Sequence, residues 1–150
     1  MRFRYASYEI EPSPTVPEGI VYRPEAIILV GGPSGTESIQ ALLDTGSDET
    51  VFPASLAKLL GVELNYGAMS KASAVGGHEV RLVPGQVTLE LSQGDESYRW
   101  RSTVAFLETD EPEDEVALLG YAGFLEFFQA TFDSETYEVT LLANNRFPRE

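Results

Sequence analysis

Apolar and polar residues alternate along much of the chain, and this spacing predicts strands. In QVTLELS the apolar residues Val87, Leu89 and Leu91 fall two positions apart and share one face. The segment YRWRSTVAFL alternates less regularly, and Gly94-Asp95 lies between the two segments. We therefore expect two strands joined at Gly94-Asp95.

Three further pairs of strands follow from turn residues between apolar runs. AIILV and SIQALL flank the turn GGPSG, and this hairpin delivers Asp44 at its far end. AVGGHEV has two glycines between short runs, which is typical of a hairpin tip. QATFD and YEVTLL predict a final hairpin. The chain is therefore expected to consist mostly of strands.

Only two segments show a helical pattern. Leu56, Leu59 and Leu60 have helical spacing, Pro53 suits a first helical position, and Gly61 is a plausible stop. The segment YAGFLEFF is a second candidate, although its glycine and aromatic residues weaken it. The sequence thus predicts one or two short helices.

The first 24 residues differ from the rest because they contain four prolines. Pro12, Pro14, Pro17 and Pro24 exclude a helix there. We expect residues 1–24 to be an N-terminal extension, an edge strand followed by a Pro-rich linker, and residues 25–150 to form one domain.

Composition narrows the class of protein. Hydrophobic residues make up 43% of the 150 residues, which favours a globular fold. No apolar run is long enough to span a bilayer, and MRFRYASYEI lacks the apolar segment of a signal peptide, so we expect a cytoplasmic protein. The absence of cysteine excludes disulfides and thiol nucleophiles.

Charge disfavours several partners. The net charge of −14 opposes binding to nucleic acid and to anionic membranes, and we attribute it to solubility. The acidic stretch 108–115 is expected to be a solvated loop, because it lacks the alternating ligands and central glycine of a calcium loop. His78 is the only histidine, so we expect no metal site and no cofactor.

Candidate chemistry centres on ALLDTGSDETVFP, where apolar residues lead directly into Asp44. Gly46 permits a tight loop, and the neighbouring hydroxyls can hold a carboxylate. If carboxyl groups hydrolyse a peptide, two are needed, a carboxylate to activate water and a protonated carboxyl to polarise the carbonyl. Asp133-Ser134 continues into Glu135, so the chain lacks a second such motif. The second carboxylate must then come from another copy of the chain.

The segments ALLDTGSDETVFP, AVGGHEV and ALLGYAGFLEFF occur in the order seen in the retropepsins, the single-lobe, retroviral-type aspartic proteases. The chain resembles this family over about residues 25 to 142. The resemblance implies a closed antiparallel retropepsin-like (acid protease) barrel and an obligate homodimer. It also implies a cleft for a peptide or protein substrate beneath two flaps.

The resemblance also implies roles for residues of the motif. Asp44 is the expected catalytic carboxylate, paired with Asp44 of a second copy. Thr45 is expected to hydrogen-bond across the two-fold axis and brace the two loops. Gly46 is expected to contact the substrate backbone through its carbonyl.

Substrate binding is assigned by the same resemblance. Asp48 matches an acid that binds the substrate backbone, and Gly76 and Gly77 match the tip of the flap. One departure is Tyr121, because the retroviral enzymes usually carry an arginine there that pairs with the acid matching Asp48. Arg99 or Arg101 could substitute for it.

Two classes of function follow. The first is a homodimeric aspartic endopeptidase that hydrolyses peptide bonds with water activated by paired Asp44 carboxylates. The alternative is a non-catalytic or weakly active peptide-binding or assembly module that retains the fold, because fold alone does not fix function.

Overall fold

The computed structural model describes residues 1–73 and 76–149 and shows a mostly β protein. Its one α-helix, α1, spans Ala54–Leu60, and short 3-10 helices cover Tyr66–Ala68, Pro112–Asp114 and Leu125–Phe127. The strands are β1 Arg2–Arg4, β2 Ala6–Glu9, β3 Ile20–Arg23, β4 Glu25–Gly32, β5 Gly35–Leu43, β6 Val51–Pro53, β7 Ser70–Ser73, β8 Glu79–Gln93, β9 Glu96–Glu108, β10 Leu118–Leu119, β11 Phe128–Asp133 and β12 Glu138–Ala143.

Six strands close into a barrel. The order is β4-β5-β10-β6-β9-β8, and β8 returns to pair with β4 through Leu29 opposite Glu90. The 15-residue strand β8 is long enough to pair with β4 in one part and with β7 in another. Closure removes the open edges that a flat sheet would expose.

The barrel is mixed, whereas the family resemblance implied an antiparallel one. β5 runs parallel to β10, and β6 runs parallel to β9, while the other pairings are antiparallel. Parallel neighbours need a long crossover connection. The antiparallel expectation, which came from the family resemblance, was therefore wrong at these two pairings. Alternation along the sequence identifies strands and adjacent hairpins but carries no information on such distant partners.

The predicted hairpins form where the turn residues indicated. Gly94-Asp95 joins β8 to β9 as a two-residue turn, with Gln93 opposite Glu96 and Gly94 at φ 57°. Pro33-Ser34 joins β4 to β5. The last two strands, β11 and β12, also pair as expected, and they form a separate sheet with β1.

Of the two predicted helices, only the first is an α-helix. α1 ends at Gly61, whose φ of 67° is the left-handed conformation that glycine adopts readily. It buries Leu56 and Leu60, while Leu59 is exposed. Over residues 121–128 only the 3-10 helix forms, because Gly123 has φ +89° and interrupts any longer helix.

The N-terminus is tied to the core. Met1 is buried, and its amine donates to the carbonyl of Leu141 at 3.0 Å. β1 extends the sheet next to β12 at its edge, and β2 pairs with β3 across the proline-containing segment. Among the described residues, no helix is long and apolar enough to cross a membrane.

One contiguous group of apolar side chains fills most of the interior, and it includes both barrel residues and aromatic residues. The barrel residues include Ile28, Val30, Leu89 and Phe106, all fully buried. An aromatic cluster lies beside them and consists of Tyr98, Trp100, Phe124, Phe127, Phe128 and Phe147. Trp100 anchors the cluster by donating its indole N–H to the carbonyl of Gly123 at 3.0 Å.

Candidate active site

Asp44 lies immediately after β5, at the point where the barrel strand leaves its parallel partner β10. Its backbone N–H donates to the carbonyl of Leu119 at 3.1 Å, which extends the ladder by one residue. The buried Leu43 fixes the preceding backbone in the core. The side chain of Asp44 is half-buried. The carboxylate is therefore held at the rim of the barrel rather than inside it.

A tight loop orients this carboxylate. The backbone N–H of Gly46 donates to Oδ1 of Asp44 at 2.9 Å, and the N–H of Ser47 donates to the Asp44 carbonyl at 3.2 Å. Ser47 Oγ donates to the carbonyl of Glu49 at 2.7 Å and closes the loop. One carboxylate oxygen is thus fixed by a backbone donor, as an Asx turn requires. The described residues donate no hydrogen bond to the other oxygen.

A second segment, Gly120–Ala122, crosses the loop from the far end of the sequence. Tyr121 N–H donates to the carbonyl of Ser47, and Ala122 N–H donates to that of Asp48, both at 2.9 Å. The carbonyl of Ala122 in turn accepts the N–H of Thr50 at 2.9 Å. Three backbone hydrogen bonds therefore lock the Asp44 loop to the residues that follow β10.

Gly120 makes this crossing possible. A Cβ atom at this position would lie 2.1 Å from the carbonyl oxygen of Glu49 and 2.8 Å from that of Ser47. Both are backbone atoms that the hydrogen bonds hold in place. The glycine after the apolar run ALL thus has a steric role that the sequence analysis did not assign, since it used this glycine only as part of the family resemblance.

Thr45 and Gly46 are exposed beside the carboxylate. Within the described residues the Thr45 hydroxyl makes no hydrogen bond, so it is available to an outside partner. The structure brings Asp44, Thr45 and Gly46 together on one surface loop. Their expected contacts with a second copy and with substrate remain predictions.

A cleft of about 530 Å³ lies next to this loop. The loop contributes one wall, the β7–β8 hairpin contributes a second, and the acidic segment contributes a third. Its lining residues are Gly46, Ser47, Asp48, Glu49, Val51, Ala72, Ser73, Val80, Leu82, Leu107, Glu113, Asp114, Val116 and Leu118. The floor is apolar, and the rim carries four carboxylates.

Gly76 and Gly77 lie between the paired strands β7 and β8, as a hairpin tip requires. Both have positive φ, 99° and 82°, and both are exposed. Neither lines the cleft, although β7 and β8 do. The neighbouring Ala74 and Val75 of the AVGGHEV segment lie outside the described residues. His78 is exposed next to the tip.

The acidic stretch 108–115 is only partly the solvated loop that the sequence suggested. Asp110, Glu113 and Glu115 are exposed, but Asp114 is half-buried and lines the cleft. The Oδ2 atom of Asp114 is buried and has no hydrogen-bond donor among the described residues. Alternation and composition gave no signal of this, because the short 3-10 helix Pro112–Asp114 turns that side chain toward the cleft wall.

A polar cluster supports the cleft where β9 ends. Glu108 accepts a hydrogen bond from the Tyr66 hydroxyl and pairs with Arg81 at 3.1 Å. The hydrogen bond to Glu108 raises the pKa of Tyr66 above its usual value, because it stabilises the protonated phenol. The cluster ties the 3-10 helix Tyr66–Ala68 to the edge of the β8–β9 ladder.

The family resemblance implies an arginine after Gly120 that pairs with the acid matching Asp48, whereas this chain has Tyr121 at that position. Across residues 1–73 and 76–149, Asp48 forms no ion pair. Arg101 donates instead to Gln86 at 2.8 Å. The hydroxyl of Tyr121 accepts a hydrogen bond from the guanidinium of Arg146 at 2.8 Å. Sequence reasoning missed Arg146, which reaches position 121 only because the C-terminal segment folds back.

Among the residues that the structure describes, no three His, Asp or Glu side chains are grouped so that they could hold an ion. The comparisons add no family: no family model matches the chain, and no curated protein matches it.

Proposed function

We propose that the chain is a retropepsin-like aspartic endopeptidase that is active as a homodimer. The observation that carries this proposal is the Asp44 loop, whose carboxylate is held by the Gly46 N–H at the rim of a closed barrel. The crossing of that loop by Gly120–Ala122 fixes its position, and the adjacent cleft is large enough for a peptide segment.

A second copy completes the site in this proposal. A two-fold axis beside Asp44 pairs its carboxyl group with the same group of the other chain. Two carboxyl groups about 3 Å apart cannot both ionise, so they share one proton. In this proposal the Thr45 hydroxyl hydrogen-bonds across the axis and holds the two loops together, and the exposure of Thr45 supports this role.

The shared proton allows both halves of the reaction. The ionised Asp44 removes a proton from water as the water oxygen attacks the scissile carbonyl carbon. The protonated Asp44 of the second copy gives its proton to the carbonyl oxygen, which yields a tetrahedral diol. As the diol collapses, a proton passes to the amide nitrogen and the C–N bond breaks. The two carboxyl groups then again hold one proton.

Other residues bind the substrate in this scheme. Gly46 and Asp48 line the cleft, and in this proposal the Gly46 carbonyl and the Asp48 carboxylate accept hydrogen bonds from the substrate backbone. Gly76 and Gly77, at the tip of the β7–β8 hairpin, would cover the bound peptide from above. The positive φ angles of both glycines permit the sharp turn that such a flap needs.

A second candidate, a peptide-binding or assembly module that does not cleave, is favoured by one observation. Asp48 lacks the ion pair that the resemblance implies, and Tyr121 bonds to Arg146 instead. A loop braced differently could bind peptide yet leave the two carboxyl groups too far apart to share a proton.

The test is peptide turnover by Asp44→Asn beside the wild-type chain at mildly acidic pH. We expect the substitution to lower kcat by about 10²–10⁴-fold, because it removes the general base and the general acid together. Asp95→Asn in the exposed β8–β9 turn is the matched control and should retain activity. Cleavage by Asp44→Asn at the wild-type rate would exclude the proposed mechanism. Tight peptide binding without turnover by the wild-type dimer would support the binding module.

A further inference from the structure

β11 is an edge strand of the small sheet β1-β12-β11. Among the described residues it pairs on one side only, with β12. An edge strand presents backbone N–H and C=O groups that can pair with a further strand, and natural proteins usually protect it with charged side chains or proline. Residues 128–132 of this strand contain neither. The edge formed by β11 therefore lacks the usual protection.

The opposite edge of the same sheet, β1, is protected. Arg2 and Arg4 are charged and exposed there. The side chain of Gln93 also bonds to the β1 backbone, because it accepts the N–H of Arg2 at 2.7 Å and donates to the carbonyl of Arg2. The two edges thus differ, and β11 is the one that is open to pairing.

The backbone groups of Ala130 and Phe132 point away from β12. Leu141 lies opposite Ala130, but it bonds to the other side, since its N–H donates to the carbonyl of Met1 at 2.8 Å and its carbonyl accepts the Met1 amine at 3.0 Å. Residues of an antiparallel ladder alternate in this respect. Ala130 and Phe132 consequently direct their N–H and C=O groups outward, and no described residue bonds to these groups.

The sequence of this edge is nearly symmetric about Ala130. In FQATF a phenylalanine and a polar residue stand on each side of the alanine. When a second copy runs antiparallel with its own Ala130 opposite, Phe128 faces Phe132, and Gln129 faces Thr131. Aromatic and polar pairs across strands are favourable. No like charges meet in this register, which matters for a chain with a net charge of −14.

The edge is also connected to the Asp44 loop. The carbonyl of Gly120, the residue that crosses that loop, accepts the N–H of Leu125 at 2.9 Å. Leu125 begins the 3-10 helix that ends at Phe127, and β11 starts at the next residue. A second copy bound at β11 is therefore linked to the Asp44 loop through one continuous hydrogen-bonded segment.

We infer that β11 pairs with β11 of a second copy in an antiparallel ladder centred on Ala130. The ladder holds about four backbone hydrogen bonds, two between the Ala130 residues and two from Phe132 to the carbonyl of Phe128 in the other copy. The N–H of Phe128 adds none, because it donates to the carbonyl of Leu125. The exposed part of the Phe132 ring is then covered by the other copy. The inference rests on the proposed function, since it names the contact that assembles the proposed homodimer.

Ala130→Pro tests the ladder, because proline has no N–H and is tolerated at an edge whose N–H faces solvent. In sedimentation equilibrium we expect wild type to dimerise and the substitution to raise the dimer Kd by about tenfold or more, since about two hydrogen bonds are lost. Arg4→Pro is the matched control and should leave the Kd unchanged. Arg4 lies two positions after Arg2 and likewise points its N–H away from β12. Urea denaturation checks that both chains fold.

A cross-linking test does not depend on proline. The chain has no cysteine, so an introduced cysteine can pair only with another introduced one. A mixture of Gln129→Cys and Thr131→Cys chains should form a disulfide across the ladder on oxidation. Opposite Cα atoms of a non-hydrogen-bonded antiparallel pair lie about 4.5 Å apart, which a disulfide can span. Gln129→Cys mixed with Arg4→Cys is the control and should stay uncross-linked.

The outcomes separate this inference from the proposed function. A monomeric wild-type chain, an unchanged dimer Kd for Ala130→Pro, or absence of the mixed cross-link overturns the inference. Turnover that depends on Asp44 would leave the endopeptidase standing in each of these cases. Conversely, a chain that shows both the weakened dimer and the cross-link but cleaves no peptide upholds the pairing and refutes the endopeptidase.

Discussion

At the scale of single residues, the site depends on the absence of a Cβ atom at Gly120 as much as on the carboxylate of Asp44. Asp44 is oriented by one backbone donor, but the loop that holds it is closed by Gly120–Ala122. The close approach of Gly120 to the carbonyls of Glu49 and Ser47 leaves no space for a methyl group. The carboxylate and the glycine are therefore two parts of one arrangement.

Gly120→Ala should destabilise the chain and abolish any activity. The new Cβ would meet backbone atoms that cannot move without breaking the crossing, and overpacking of this kind costs about 1–3 kcal/mol or more. Urea denaturation would measure the loss. Gly94→Asn is the control, because Gly94 has φ 57° in open space and asparagine tolerates that conformation. A Gly120→Ala chain as stable as this control would show that the crossing is not rigid.

The sequence predicted the position of Asp44 but not the contact of Arg146 or the burial of an Asp114 oxygen. The position of Asp44 at the end of a strand followed from the apolar residues before it, because the spacing of apolar residues along the sequence predicts a strand with a buried face. The contact of Arg146 with Tyr121 did not, because the residues are 25 positions apart and meet only through the fold. The buried oxygen of Asp114 was hidden for the same reason, within a segment whose composition suggested only solvent.

At the scale of elements, local turns were predictable and distant pairings were not. Gly94-Asp95 and Gly61 act through their own backbone conformations, which their residue types encode. The parallel pair β5–β10 depends on a connection of more than 70 residues, and nothing within two short apolar runs specifies it. Residues 121–128 failed as an α-helix because the aromatic side chains enter a tertiary cluster and Gly123 turns the chain.

The C-terminal residues 144–147 pack against the aromatic cluster around Trp100. Asn144 N–H donates to the carbonyl of Phe127 at 2.9 Å, and its side-chain amide donates to that of Glu126 at 3.0 Å. Phe147 then packs with its ring centroid 5.5 Å from that of Trp100. These contacts also bring Arg146 to the hydroxyl of Tyr121. Tyr121 directly follows Gly120, the glycine that crosses the Asp44 loop.

Phe147→Ala should lower the free energy of unfolding by about 1–2 kcal/mol, because a half-buried ring contributes part of the value for a fully buried one. It should also speed hydrogen exchange at the amide of Asn144, since the segment loses its anchor. Urea denaturation and exchange measured by NMR would check both effects. Arg149→Ala, at an exposed position in the same segment, is the control. An equal and small effect of the two substitutions would mean that the ring adds no stability.

At the scale of the whole molecule, one chain supplies half of the proposed chemistry. A single Asp44 can act as base or as acid, and the proposed mechanism uses both roles at once. The exposed Thr45 and Gly46 beside a half-buried carboxylate form a surface that a second copy could cover.

The need for one Asp44 from each of two chains predicts how activity responds when wild-type and Asp44→Asn chains are mixed. When wild-type and Asp44→Asn chains exchange freely at equal concentrations, about a quarter of the dimers contain two Asp44 residues. Activity should then fall to about a quarter of that of the same total concentration of wild type. A chain that acts alone would retain about half, because each wild-type chain keeps its own site. Mixing with Asp95→Asn, whose substitution lies in the exposed β8–β9 turn, should leave activity unchanged. Peptide turnover measured across the mixing series distinguishes a quadratic from a linear dependence on the wild-type fraction, and a linear dependence would contradict a site shared between two chains.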